Sequence, residues 1–160
     1  MGNNNYLSDL STDEKLLMTI VKAAETFKRA VSAIFRNYGL SFPQYNVLRV
    51  LDSSKEGQNK MSDVSRIMLV PDANMTGIAK RLEKSGFIIR KSHPSDERVT
   101  LLEITPKGRQ TVRNIEKERQ ECDKATLDGL SEEQRSQLLL TVRQIVKNGL
   151  KIASGPGGGD

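Results

Sequence analysis

One change of hydrophobic rhythm constrains this chain more than any other feature. Through residue 86 the apolar side chains recur at steps of three and four, the spacing of a helix face. Residues 87–91 and 99–104 are instead β-prone runs, separated by the polar residues 92–98, and from Thr105 the helical spacing returns. Two short runs supply one hairpin and no larger sheet, so the expected fold is mainly α with a small β element. His93-Pro94 falls in the polar stretch between the runs, which predicts a seven-residue loop projecting from the hairpin.

The helices announce their own starts. Ser11-Thr-Asp-Glu14 has the form of a capping box, and Leu16, Leu17, Ile20, Val21, Ala24, Phe27, Val31, Ile34 and Phe35 continue it as an amphipathic stripe to about Asn37. Ser41-Phe-Pro-Gln44 caps a second, shorter helix carrying Tyr45, Val47, Leu48, Val50 and Leu51, which is expected to stop before a turn at residues 57–59. Ser62 is the expected cap of a third helix with Met61, Val64, Ile67 and Met68 inward, and Asp72 that of a fourth with Met75, Ile78, Ala79 and Leu82 inward. Gly86 is placed to end the fourth in a left-handed conformation. Two short helices in tight succession, the second with Lys and Arg opposite its apolar stripe, form a helix-turn-helix pattern. Beyond the hairpin, Thr105-Pro106 starts a sparsely apolar helix to about Asp128, with Val112, Ile115, Cys122 and Leu127 on its apolar positions. Ser131-Glu-Glu-Gln134 caps the last helix, in which Leu138, Leu139, Val142, Ile145, Val146 and Leu150 form the stripe. Long helices at both ends have apolar stripes that a chain this small cannot bury alone, which predicts a homodimer. Residues 154–160 read as a flexible tail.

Composition removes several function classes. No apolar run approaches the roughly 20 residues of a membrane span, and the polar start lacks the order of a secretory signal, so a cytoplasmic protein without membrane contact is expected. One Cys and one His are too few for a zinc site built on nitrogen and sulfur, although an all-oxygen metal site stays formally open. Nucleophilic catalysis would have to run through His93 in an exposed loop, where no shielded partner holds a catalytic base. The chain reads as a non-enzyme with no cofactor.

Charge points to the partner. The chain carries +5 overall, and residues 60–109, with 10 basic and 6 acidic side chains, hold +4 of it. A local excess of this kind is the footprint of a polyanion-binding segment, with a merely solvated basic face as the alternative.

The residues around the hairpin resemble a known pattern. Asp96-Glu-Arg98, five residues, Ile104-Thr105 and then Lys107-Gly108 are similar to the wing signature D-x-R-x(5)-[LI]-T-x-x-G of the MarR (multiple antibiotic resistance regulator) family of winged helix-turn-helix transcription factors. Asn74-Met-Thr76 and Arg81-Leu-Glu-Lys-Ser-Gly86 resemble the family's recognition helix, and the element order matches over roughly residues 10–152. The resemblance implies a mainly α, winged helix-turn-helix fold with a small β wing. Residues 38–104 would form the DNA-binding domain, and residues 1–37 and 105–153 the helical dimerisation region. It further implies a homodimer that reads a pseudo-palindromic duplex operator, with recognition helices about one DNA turn, roughly 34 to 36 Å, apart. Such a regulator is expected to be a repressor.

On this reading, Gly77, Lys80, Arg81 and Lys84 face a major groove, with Asn74 and Thr76 at its N-terminal end, where Asn can pair with adenine and Thr can meet a thymine methyl or a phosphate. The alternative for Asn74 and Thr76 is a role in the helix cap, and Ser62 is a cap first and a phosphate contact second. Arg98 is the leading candidate: the resemblance implies an arginine entering the minor groove while Asp96 orients its guanidinium. Arg90, Lys91 and His93 are neighbouring phosphate-contact candidates. Phe27, Phe35, Phe42 and Tyr45 have core-like spacing, and the resemblance also makes them candidates to line a crevice for a small aromatic ligand that releases the operator. Cys122 reads as a plain apolar position rather than a redox sensor. The rival reading is a winged-helix module that binds protein and no operator.

Overall fold

The structure, a computed structural model, describes residues 10–155; most of the tail expected over 154–160 lies outside them. Two compact units divide the chain, one through Cys122 and one from Asp123 onward. The first contains helices α1 (Thr12–Asn37), α2 (Phe42–Asp52), α3 (Met61–Met68) and α4 (Asp72–Lys84), strands β1 (Gln58–Lys60), β2 (Ile88–His93) and β3 (Asp96–Ile104), and most of α5 (Pro106–Thr126). The second contains the end of α5 and helix α6 (Glu132–Ala153). The fold is the winged helix-turn-helix that the resemblance implies, with the helix-turn-helix and hairpin that the spacing predicts.

Three of the expected capping boxes form. Ser11, Ser41 and Ser131 each accept from the N3 backbone N–H while Glu14, Gln44 and Gln134 accept from the cap residue's own N–H. The expected caps of the two central helices do not. Lys60 occupies the N-cap of α3 and Pro71 that of α4, neither with a side-chain cap bond, and Ser62 and Asp72 sit inside the first turns instead. Asp72 there complements the positive end of the helix dipole. Thr76 is also no cap, because its hydroxyl donates to the Asp72 carbonyl one turn back.

Gln58 and Asn59, which fall in the turn expected at residues 57–59, form a third strand with Lys60. β1 pairs antiparallel with β3, with Lys60 opposite Leu101, and the sheet order is β1-β3-β2. A three-residue strand carries no alternation to read, and only its partner defines it. The hairpin is tighter than expected: His93 pairs with Asp96, so β3 already includes Asp96-Glu-Arg98 and the seven-residue loop shrinks to Pro94-Ser95.

The core gathers Val31 and Phe35 of α1, Tyr45, Leu48 and Leu51 of α2, and Val64, Met75, Leu82, Leu102 and Ile115 from the later elements. Only the C-terminal part of the α1 stripe takes part: Val31 and Phe35 are buried, whereas Leu16, Leu17 and Val21 are more than half exposed. Ile67, expected inward, is 57% exposed. Its helix ends two residues later at Leu69, which adopts a left-handed φ of 53° and turns the chain toward α4. Helix α6 buries no residue.

Candidate nucleic-acid interface

Helix α4 is anchored by one face and offers the other. Met75, Ile78, Ala79 and Leu82 are buried, as their i, i+3, i+4, i+7 spacing requires. Asn74, Lys80, Arg81 and Lys84 are exposed, with Thr76 and Gly77 half-buried between the two faces. Lys80, Arg81 and Lys84 form no ion pair among the described residues. The Arg81 guanidinium lies back over Gly77, where a β-carbon would stand 3.7 Å from it. The helix stops at Gly86, φ +75°, with Phe87 N–H donating to Leu82 O (3.0 Å) and Gly86 N–H to Glu83 O (2.9 Å). That is the Schellman arrangement expected of a glycine one residue past the cap.

The wing carries an ion-paired cation that stays almost fully exposed. Arg98 is 92% exposed at its side chain, yet its Nε lies 3.1 Å from Asp96 Oδ1, its Nη2 3.4 Å from Oδ2, and its backbone N–H also donates to Oδ1 at 3.1 Å. These bonds from Arg98, side chain first, hold the Asp96 carboxyl below the ordinary aspartate value, with the Lys60 ammonium adding positive charge nearby. His93 is tied to the turn. Its Nδ1 lies 3.2 Å from the Ser95 backbone N–H and 2.9 Å from the Ser95 hydroxyl. Lys91 reaches across the strands to Glu103. Arg90 is half-buried and paired with Glu83 of α4, and Ser62 is exposed in the first turn of α3.

Where the wing meets α5, the second half of the 96–108 motif has a different task. The Thr105 hydroxyl lies 2.8 Å from Gly86 O and accepts from Gly108 N–H at 3.1 Å, so it caps α5 and ties it to the end of α4. A β-carbon on Gly108 would stand 2.4 Å from Phe87 O and 2.7 Å from the Ile104 side chain. Only glycine lets α5 approach this closely. Lys107 donates to Ser85 O and lies 4.6 Å over the Phe87 ring. Asp96 and Arg98 therefore face solvent, while Ile104, Thr105 and Gly108 set the wing on its base.

Two groups near this surface were not legible as site residues. Lys60 is brought beside the wing by β1, whose pairing no local pattern signals. In the sequence Glu83 stands only as one position of the Arg81–Gly86 stretch; its signal was the Arg seven residues on, at a separation that matters only once Gly86 folds the chain back. The aromatic candidates divide. Phe35 and Tyr45 stack at 4.2 Å in the buried core, and Phe27 and Phe42 lie half-buried against it. Cys122 is half-buried and also packs against this core. No group of three or more potential metal ligands occurs among the described residues.

Comparison with known proteins converges on one kind of molecule. A family model described as transcriptional regulator SarA/Rot matches residues 29–115. The HTH-type transcriptional regulator TtmR of Methylorubrum extorquens is 36% identical over 99 residues, 62% of this chain and 50% of that one, so the chain spans about half the length of this relative. The HTH-type transcriptional regulator YfiV of Bacillus subtilis is 28% identical across 95% of this chain and 88% of its own. Among solved structures, Sco3205, a MarR family transcriptional regulator from Streptomyces coelicolor solved in complex with DNA, superposes with a TM-score of 0.80 at 23% identity, over 94% of this chain and 93% of that one. These relatives are transcriptional regulators, not enzymes.

Proposed function

The chain belongs to the SarA/Rot family of transcriptional regulators, and from that premise we propose that two copies pair and bind a pseudo-palindromic duplex operator as a repressor. The observation that carries the reading is the presence, within a single compact unit, of an exposed helix face whose Lys80, Arg81 and Lys84 form no ion pair among the described residues and of an exposed wing arginine paired with its neighbouring carboxylate. In the major groove, Asn74, Thr76, Arg81 and Lys80 would meet base edges and phosphates, and Gly77 leaves room for the Arg81 guanidinium to lie close to the helix. Arg98 would enter the adjacent minor groove, where a narrow groove focuses negative potential. Ser62, Lys84, Lys91 and His93 would contact phosphates.

Pairing is supported by apolar side chains left at the surface. Leu16, Leu17 and Val21 on α1, and Leu138, Leu139 and Val146 on α6, are each at least 47% exposed, more than a solvated helix has reason to carry. A small aromatic ligand would release the operator by favouring a spacing of the two DNA-binding units that no longer fits successive grooves. Among the described residues no helix is long and apolar enough to cross a membrane.

Selection of bound sites from random duplex DNA tests the reading. The expected result is an inverted repeat whose half-sites lie about one helical turn apart. Recovery of no sequence, with binding to protein baits that is indifferent to salt, would instead favour a protein-interaction module.

A further inference from the structure

Glu83 stands in the wrong place for an ornamental charge. It lies on α4 between buried Leu82 and exposed Lys84, on the helix that would face a polyanion. Both of its carboxylate oxygens are engaged by one residue: Oε2 accepts from Arg90 Nε at 2.8 Å, and Oε1 accepts from the Arg90 backbone N–H at 3.2 Å. β2 is an outer strand of the sheet, so a backbone donor pointing away from β3 has no strand to meet. Glu83 supplies the missing acceptor and the counter-charge together.

Two attachments fix a direction where one leaves a hinge. The wing already joins α4 at its root, through Phe87 N–H to Leu82 O and the Thr105 hydroxyl beside Gly86 O. Arg90 is three residues further out, opposite Leu102 of β3, and Arg98 lies four residues beyond Leu102 toward the tip. At the usual strand rise that lever is about 13 Å, so a tilt of about 10° would displace the guanidinium by about 2 Å. A shift of that size breaks hydrogen-bond geometry.

We propose that Glu83 and Arg90 are positioning residues that set the angle between recognition helix and wing, so that α4 and Arg98 address neighbouring grooves in register. The proposal rests on the DNA-binding reading above and assigns Arg90 to Glu83 rather than to a phosphate.

The test compares wild type, E83A, E83Q and R90A on the selected operator and on a scrambled duplex, from 50 to 200 mM salt, with unfolding midpoints recorded for each. Removing a negative charge next to DNA should by simple electrostatics tighten binding. We expect the reverse on the operator: E83A loses on the order of tenfold in the operator-over-scrambled ratio, about the worth of one specific contact, while scrambled-duplex affinity holds or rises. E83Q, which keeps one acceptor, falls between, and stands in for E83A should that variant not fold. R90A loses the same ratio with its salt slope unchanged, whereas loss of a phosphate contact would flatten the slope by about 1. Operator affinity equal to or above wild type in E83A and E83Q, parallel loss on both duplexes, or a flattened slope in R90A overturns the assignment. A wild type with no preference between duplexes overturns the DNA reading itself, and this assignment with it.

Discussion

Asp96 grips Arg98 from two positions earlier on the same strand, with a side-chain fork at 3.1 and 3.4 Å and a backbone bond at 3.1 Å, and leaves that arginine 92% exposed. An exposed pair of this kind adds little to stability. Its worth lies in limiting the rotamers of a long side chain before a ligand arrives.

Arg98→Ala and Asp96→Ala should therefore both weaken operator binding, Arg98→Ala by about ten- to a hundredfold, with unfolding midpoints moved by less than about 2 °C. Asp96→Ala is the sharper case, since it deletes a negative charge near DNA and still should reduce affinity. Fluorescence anisotropy on the selected operator reads both. Tighter operator binding by Asp96→Ala would show that the carboxylate orients nothing.

The same pair makes a prediction about acid. The Asp96 carboxyl lies below its ordinary 3.8 because Arg98 hydrogen-bonds its charged form. A lowered folded-state value means that the interaction is fully present above 3.8 and is lost as pH falls through the depressed value. A carbon-13 NMR titration of the carboxyl should give a midpoint below 3.8 in wild type, returning toward 3.8 in Arg98→Ala. Coincident midpoints in the two proteins would contradict the fork.

Gly108→Ala should cost about 1 to 3 kcal/mol of stability, because the new methyl meets the Phe87 carbonyl, which cannot swing aside as a side-chain end would. Urea unfolding measures it. Gly149→Ala in α6, where nothing lies within 4 Å of the added carbon, is the matched control and should be neutral or slightly stabilising.

Sedimentation equilibrium should return twice the 17.8 kDa chain mass. A double substitution on the α6 surface, Leu139→Glu with Val146→Glu, places charge on side chains that are each 50% exposed and should shift the population toward monomer. A monomeric wild type at tens of micromolar would leave those apolar residues without the proposed use.

Much of the fold was readable because its signals are local. Ser11, Ser41 and Ser131 cap helices through bonds that span three residues, and Gly86 ends α4 through a backbone angle of its own. The errors share a cause. Ser62 and Asp72 are good capping residues, but the chain enters α3 from a strand and α4 from Leu69-Val70-Pro71, and those approaches put Lys60 and Pro71 at the caps. Ile67 fits the apolar spacing of α3 and is exposed all the same, because a helix of 8 residues needs only one narrow stripe against its neighbours.

The motif over residues 96–108 shows where sequence ends and tertiary structure begins. Residue type and spacing alone determined the helical frame, the single hairpin and the concentration of positive charge in residues 60–109, because periodicity, caps and charge are properties of neighbours along the chain. Tertiary structure alone decided that Lys60 lies beside the wing, that Phe35 and Tyr45 stack on each other, that Gly108 is a point of close approach and that Glu83 pairs with Arg90. Each of these depends on how the backbone returns after a turn, and long-range approach is set by the packing of the whole unit rather than by any window of the sequence.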